Sequence, residues 1–122
     1  MALIPEDDVD FLREKEFDYE LVQFEKDLHL IIHRFPFPQY VPKEADILIR
    51  LLSGYPLTAV DMFYTIPDVR LPSGAFPQNS DQHPIVGNRP WQQWSRHSTW
   101  RSGIDNLRTF LAAVVAEINK GI

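Results

Sequence analysis

The spacing of apolar residues changes period several times along the chain, and each change marks an element. Pro5 followed by Glu6, Asp7, Asp8 and Asp10 puts proline and acids where the first turn of a helix accepts them, with Val9, Phe11 and Leu12 opening an apolar stripe. A helix over about 5–14 is expected. From Phe17 the period falls to two: Phe17, Tyr19 and Leu21 alternate with Asp18 and Glu20, which predicts a half-buried strand ending near Glu25. Lys26 and Asp27 make a polar turn. Leu28, Leu30 and Ile32 then share one face of a second strand, Leu28 to Phe35, so the two form a hairpin.

Pro36, Pro38 and Pro42 cannot donate ladder hydrogen bonds, so the stretch from Phe35 to Pro42 is expected as an extended connector or edge. Ala45, Ile47, Ile49 and Leu51 then alternate with Asp46, Leu48, Arg50 and Leu52 in a third strand, closed by the turn Ser53-Gly54-Tyr55-Pro56. Thr58 to Ile66 is expected as a fourth strand, with Val60, Met62, Tyr64 and Ile66 facing one way and Pro67 as its stop. Residues 67–90 hold Pro67, Pro72, Pro77, Pro84 and Pro90 with Gly74 and Gly87, without helical or strand period, and are expected as a long loop. Structureless loops beyond about 12–15 residues are often binding or active-site elements, so the working part is placed between Pro67 and Trp100. The tail predicts a helix capped by Ser102 with Asp105 at its third position, carrying Ile104, Leu107, Leu111, Val114, Val115 and Ile118 on one face and ending at Gly121.

A chain of 122 residues with 44% hydrophobic content can bury one core, and a single domain over 1–122 is expected. Its longest apolar runs, such as Leu28 to Ile32 and Phe110 to Ala116, fall short of the roughly 20 residues that span a bilayer, so no membrane association is expected. The first residues turn acidic at once and lack the basic start of a secretion signal, so a cytoplasmic protein is expected. The absence of cysteine changes the picture most. It removes disulfides, thiolate nucleophiles and thiolate metal sites together. The net charge of −5 is also uneven, because residues 1–27 carry ten of the seventeen acids whereas Gln82 to Ile104 carries none. That split is the signature of two differently solvated surfaces or of an acidic-partner site on the second stretch.

Histidine is the remaining source of acid–base or metal chemistry. His29 and His33 fall on one strand face but roughly 13 Å apart, too far to share a zinc ion, and are expected as edge or core residues. His83 and His97 lie in or beside the long loop without a third ligand at helical spacing, so no metal and no cofactor is expected. Ser95-Arg96-His97-Ser98 has no glycine-framed elbow, and Gly74 and Gly87 lack the lysine and spacing of a phosphate loop. Trp91, Trp94 and Trp100 bracket Arg89, Arg96 and Arg101, a pattern that either stacks single-stranded bases or pins the loop to the core with the arginines over the rings. The acidic net charge weighs against nucleic acid.

The order of these elements is helix, four-stranded antiparallel meander, long Pro-rich segment and C-terminal helix. Together with Tyr55-Pro56 at the turn, it resembles the α+β ubiquitin-conjugating (UBC/RWD-like) fold. The stretches Pro56-Leu57-Thr58-Ala59-Val60-Asp61-Met62-Phe63-Tyr64, Trp91-Gln92-Gln93-Trp94-Ser95-Arg96-His97 and Asp105-Asn106-Leu107 look like the prokaryotic family E of that superfamily. Conjugating enzymes carry a His-Pro-Asn motif followed by the cysteine that holds the thioester. Here the resemblance aligns His83-Pro84-Ile85 with that motif and puts the cysteine's place near Gln93. Thioester chemistry is then impossible, and the resemblance implies a binding or scaffolding subunit of a bacterial ubiquitin-like modification system. Its implied partners are a ubiquitin-like protein and an activating enzyme, met through Arg89, Trp91, Trp94, Arg96, His97 and Arg101. Two alternatives stand beside it: an enzyme in which His83 or His97 is a general base beside Asp81 or Ser95, and a single-stranded nucleic-acid binder.

Overall fold

The computed structural model describes residues 3–122. Helix α1 spans Glu6–Glu14, with Pro5 at its N-cap and Glu6, Asp7 and Asp8 in the first turn, where the exposed backbone N–H groups favour negative charge. Strands β1 (Tyr19–Phe24), β2 (Asp27–Pro36) and β3 (Glu44–Leu51) follow as an antiparallel meander. The β1–β2 turn is two residues long, and Glu25 at φ +56° supplies the positive first dihedral that such hairpins need. Strand β4 covers Phe63–Ile66. Two short strands, β5 (Ile85–Val86) and β6 (Arg89–Pro90), form a small hairpin, and β7 (Gln92–Trp94) joins the main sheet. Helix α2 spans Leu107–Ile118. The sheet order is β1-β2-β3-β4-β7.

The two faces of the sheet do different things. Leu30, Ile32, Ile47, Ile49 and Phe63 face the helices and join Phe11, Leu12, Leu107, Phe110, Leu111 and Val114 in the main core. Phe37 and Tyr40, from the proline-rich connector, enter the same core and pack on Trp94 at centroid distances of 5.7 and 5.6 Å. The opposite face carries a smaller core of Ile31, Leu48 and Tyr64, covered by Val86 and Trp91 of the β5–β6 region. No described helix is long and apolar enough to cross a membrane.

Three expectations change. The sheet has five strands rather than four, because Gln92–Trp94 pairs with Thr65–Phe63 just past the expected 67–90 loop, and the last part of that loop is itself paired as the β5–β6 hairpin. The fourth strand is shorter than 58–66: Met62 sits at φ +61°, which breaks the alternation, so Val60 belongs to the helix-side core while Tyr64 and Ile66 face the other way. Helix α2 starts at Leu107, not near Ser102. Asn106 caps it by accepting from the Thr109 N–H while the Thr109 hydroxyl accepts from the Asn106 N–H, and Asp105 is instead held by Arg101. Ile104 and Val115 are consequently exposed.

Candidate functional site

The segment from Pro67 to Trp94 is ordered by one buried amide. Gln92 is 1% exposed, and its side chain makes four hydrogen bonds: Oε1 accepts from Thr65 Oγ1 (2.8 Å) and the Val69 N–H (2.7 Å), and Nε2 donates to the carbonyls of Val69 (2.9 Å) and Ser80 (3.1 Å). Thr65 Oγ1 also accepts from Trp94 Nε1 at 3.0 Å. Every polar atom of this group is satisfied, so a stretch in which residues 67–84 belong to no strand or helix stays fixed against β4. Sequence reasoning missed Gln92, since a glutamine carries no periodic signal. Gln93, where the resemblance puts the cysteine's place, lies on β7 opposite Tyr64, and its amide donates to Ser95 Oγ at 2.9 Å.

Each loop histidine has a carboxylate, though neither pairs with Asp81 or Ser95. His83 Nε2 lies 2.8 Å from Asp68 Oδ1, and His97 Nδ1 lies 3.0 and 2.9 Å from the two oxygens of Asp61. Both are exposed, and among the described residues His97 Nε2 has no partner. On the strands, His29 is buried and pushed below its ordinary pKa by burial and by Arg50. His33 bridges Asp46 (3.0 Å) and Glu20 (2.9 Å), which raise its pKa, Asp46 more strongly. Among the described residues no group of three His, Asp or Glu could hold a metal ion.

The tryptophan–arginine run does not form one surface. Trp94 (0% exposed) and Trp91 (2%) lie inside the two cores, so neither ring is free to touch a partner or stack on a base. Arg96 is not available either. Its side chain is 5% exposed, lies 4.9 Å from the Trp94 ring centroid, donates to the Gln78 and Ile122 carbonyl oxygens and approaches Glu117 at 3.7 Å. Arg89 lies over Trp91 on the face away from the helices, while His97 and Arg101 lie with Trp100 on the α2 side. The residues named for partner contact therefore separate into three interior positions, one on the sheet's far face, and two beside the 57–61 stretch.

That last region is well defined. Trp100 Nε1 donates to the Pro56 carbonyl (3.0 Å) and Ser102 Oγ to the Leu57 carbonyl (2.7 Å), so the 56–61 and 97–104 stretches run side by side. Leu57 (69%) and Ile104 (62%) are exposed there. Arg101 grips Asp105 with its guanidinium and backbone N–H, holding that carboxyl down at about 2. Beneath, Asp8 accepts from the Tyr55 hydroxyl (2.6 Å) and the Leu107 N–H (3.2 Å); burial raises its pKa, opposed by both hydrogen bonds. This carboxyl ties α1, the β3–β4 turn and the start of α2 together.

A helix, an antiparallel five-stranded sheet and a second helix packed on one sheet face make an α+β domain consistent with a conjugating-enzyme-like fold. The chain belongs to the prokaryotic E2 family E, whose model matches residues 4–121. Neither the curated proteins nor the solved structures compared give a match.

Proposed function

We propose that the chain is a non-thioester member of its family that works by binding: a scaffolding subunit of a ubiquitin-like modification system, with a ubiquitin-like protein as one partner and an activating enzyme as another. The observation that supports this is chemical. The chain has no cysteine, and the residues around the place where conjugating enzymes keep one, Gln92 and Gln93, have side chains bonded to neighbouring groups of the fold. The contact surface is the exposed pair Leu57 and Ile104, with His97 and Arg101 on its rim. Paired exposed apolar side chains on two tethered loops suit a protein partner better than a small ligand.

Calorimetry with the ubiquitin-like protein tests this. Saturable binding that is lost in Leu57→Glu/Ile104→Glu, with an unchanged melting temperature, is the expected result. Full-strength binding by that variant refutes the surface, and no binding by the native chain refutes the role. A second reading rests on the Asp61–His97 pair, in which the carboxylate orients the ring and leaves Nε2 free as a base. Turnover of a ubiquitin-like protein's C-terminal ester or amide that disappears in His97→Ala would favour it.

A further inference from the structure

The face of the sheet away from the helices holds a groove that the reading above does not use. The β5–β6 hairpin covers part of this face, turning at Gly87 (φ +69°) directly above His29. Between the hairpin and strand β1 an open groove of about 470 Å³ remains, a size that accommodates a few side chains. Its walls are Val22, Phe24, His29, Ile31 and Trp91, with Arg89 at the hairpin end. Val22 and Phe24 are more than a third exposed, and the Phe24 ring, stacked on the buried His29 at 5.5 Å and 25°, presents an aromatic wall to solvent.

The charge pattern says what fits. The chain has eight arginines, and among the described residues seven of them approach a carboxylate within 4.0 Å; Arg89 alone does not. Its guanidinium is held 4.9 Å from the Trp91 ring centroid, exposed and, among the described residues, without an acceptor. Stacking of this kind orients the planar fork while leaving its N–H donors for an anion. Glu20, which also lines the groove, carries a carboxylate bonded to His33 and disfavours a second anion there. The groove is thus apolar along its length, cationic at one end and anionic at another.

We propose that this groove docks a partner protein segment that presents an aromatic side chain next to a carboxylate, the ring lying against the exposed Val22 and Phe24 and the carboxylate paired with Arg89. The site stands on the opposite face from Leu57 and Ile104 and holds or fails independently of them. The test is a two-dimensional amide NMR titration of the whole chain with a capped Gly-Phe-Asp-Gly peptide, beside peptides with Asn for Asp or Ala for Phe. Saturable shifts at Val22, Phe24, His29, Gly87, Asn88, Arg89 and Trp91 are expected, with affinity about tenfold weaker for the Asn peptide and for Arg89→Gln, the size of one charge-assisted pair. Val22→Asp, at an exposed position, puts a negative charge in the groove and is expected to abolish the shifts in a chain that still folds. No shifts at millimolar peptide, shifts located elsewhere, or equal affinity for the Asp and Asn peptides would each overturn the proposal.

Discussion

Replacing Gln92 by alanine removes the amide that fixes the Pro67–Trp94 segment, and the structure sets the size of the loss. Four hydrogen bonds disappear at a position 1% exposed, leaving the Val69 N–H and the Val69 and Ser80 carbonyls without a partner in the interior. A buried polar group left unsatisfied costs about 1–3 kcal/mol. Thr65 can turn its hydroxyl and recover part of its share, so the total expected is about 3–5 kcal/mol. Against a domain stability of about 5–15 kcal/mol this is a large fraction. Urea unfolding followed by tryptophan fluorescence reads it directly, because Trp91 and Trp94 flank the site. Circular dichroism on the same samples shows whether the segment and the sheet melt together.

The isosteric variant sharpens the test. Gln92→Glu keeps the shape but turns an oxygen toward the two carbonyls that the amide nitrogen serves, and burial further disfavours its charge. The folded pKa of the new carboxyl then lies above its unfolded value of about 4.3. Such a group costs stability at neutral pH, and the cost fades as pH falls through the folded pKa, when the protonated oxygen can donate again. The Glu variant should therefore approach the native midpoint on acidification toward pH of about 5. A loss under about 1 kcal/mol in Gln92→Ala, or a Glu variant as stable as the native chain at neutral pH, would show that Gln92 does not order the segment.

Two further predictions follow from local chemistry. Asn106→Ala should cost about 1 kcal/mol of thermal stability by removing the cap of α2, whereas Ser102→Ala should be close to neutral; the reverse order would restore the helix start read from the sequence. His33, whose pKa is raised by Asp46 and Glu20, should stabilise the fold below its unfolded pKa of about 6.5 and lose that contribution as pH rises through the folded value. Melting temperatures of the native chain and His33→Gln should thus differ most near pH 6 and converge at alkaline pH, and a gap that widens with pH refutes the assignment.

The first half of the fold is legible because one physical rule governs it. Alternation through Leu28–Ile32 and Ala45–Leu51 puts every second side chain on the helix face, where Leu30, Ile32, Ile47 and Ile49 are buried, while Ile31 and Leu48 are buried on the other face beneath the β5–β6 region. The reading fails where another interaction outranks periodicity. Met62 in a left-handed conformation resets the phase of β4, and Arg101 takes Asp105 out of contention as a helix-start residue. Strand β7 is hidden because its first residue, Gln92, is polar and is buried only by virtue of its bonds to Val69 and Ser80. Of the contact residues, His97 and Arg101 remain exposed on the α2 side and Arg89 on the opposite face. Nothing in the run of tryptophans distinguishes Trp91 and Trp94, which are buried, from Trp100, which is half-buried.

The tie between Asp8 and the Leu107 N–H spans 99 residues, and Glu14 reaches Arg108 across 94. During synthesis, α1 therefore emerges long before the helix that completes its surroundings. Until α2 has left the ribosome, Leu30, Ile32, Ile47 and Ile49 form a sheet face with only half its cover. A domain wired in this way closes late and all at once, and the nascent chain depends on whatever shields that face in the interval.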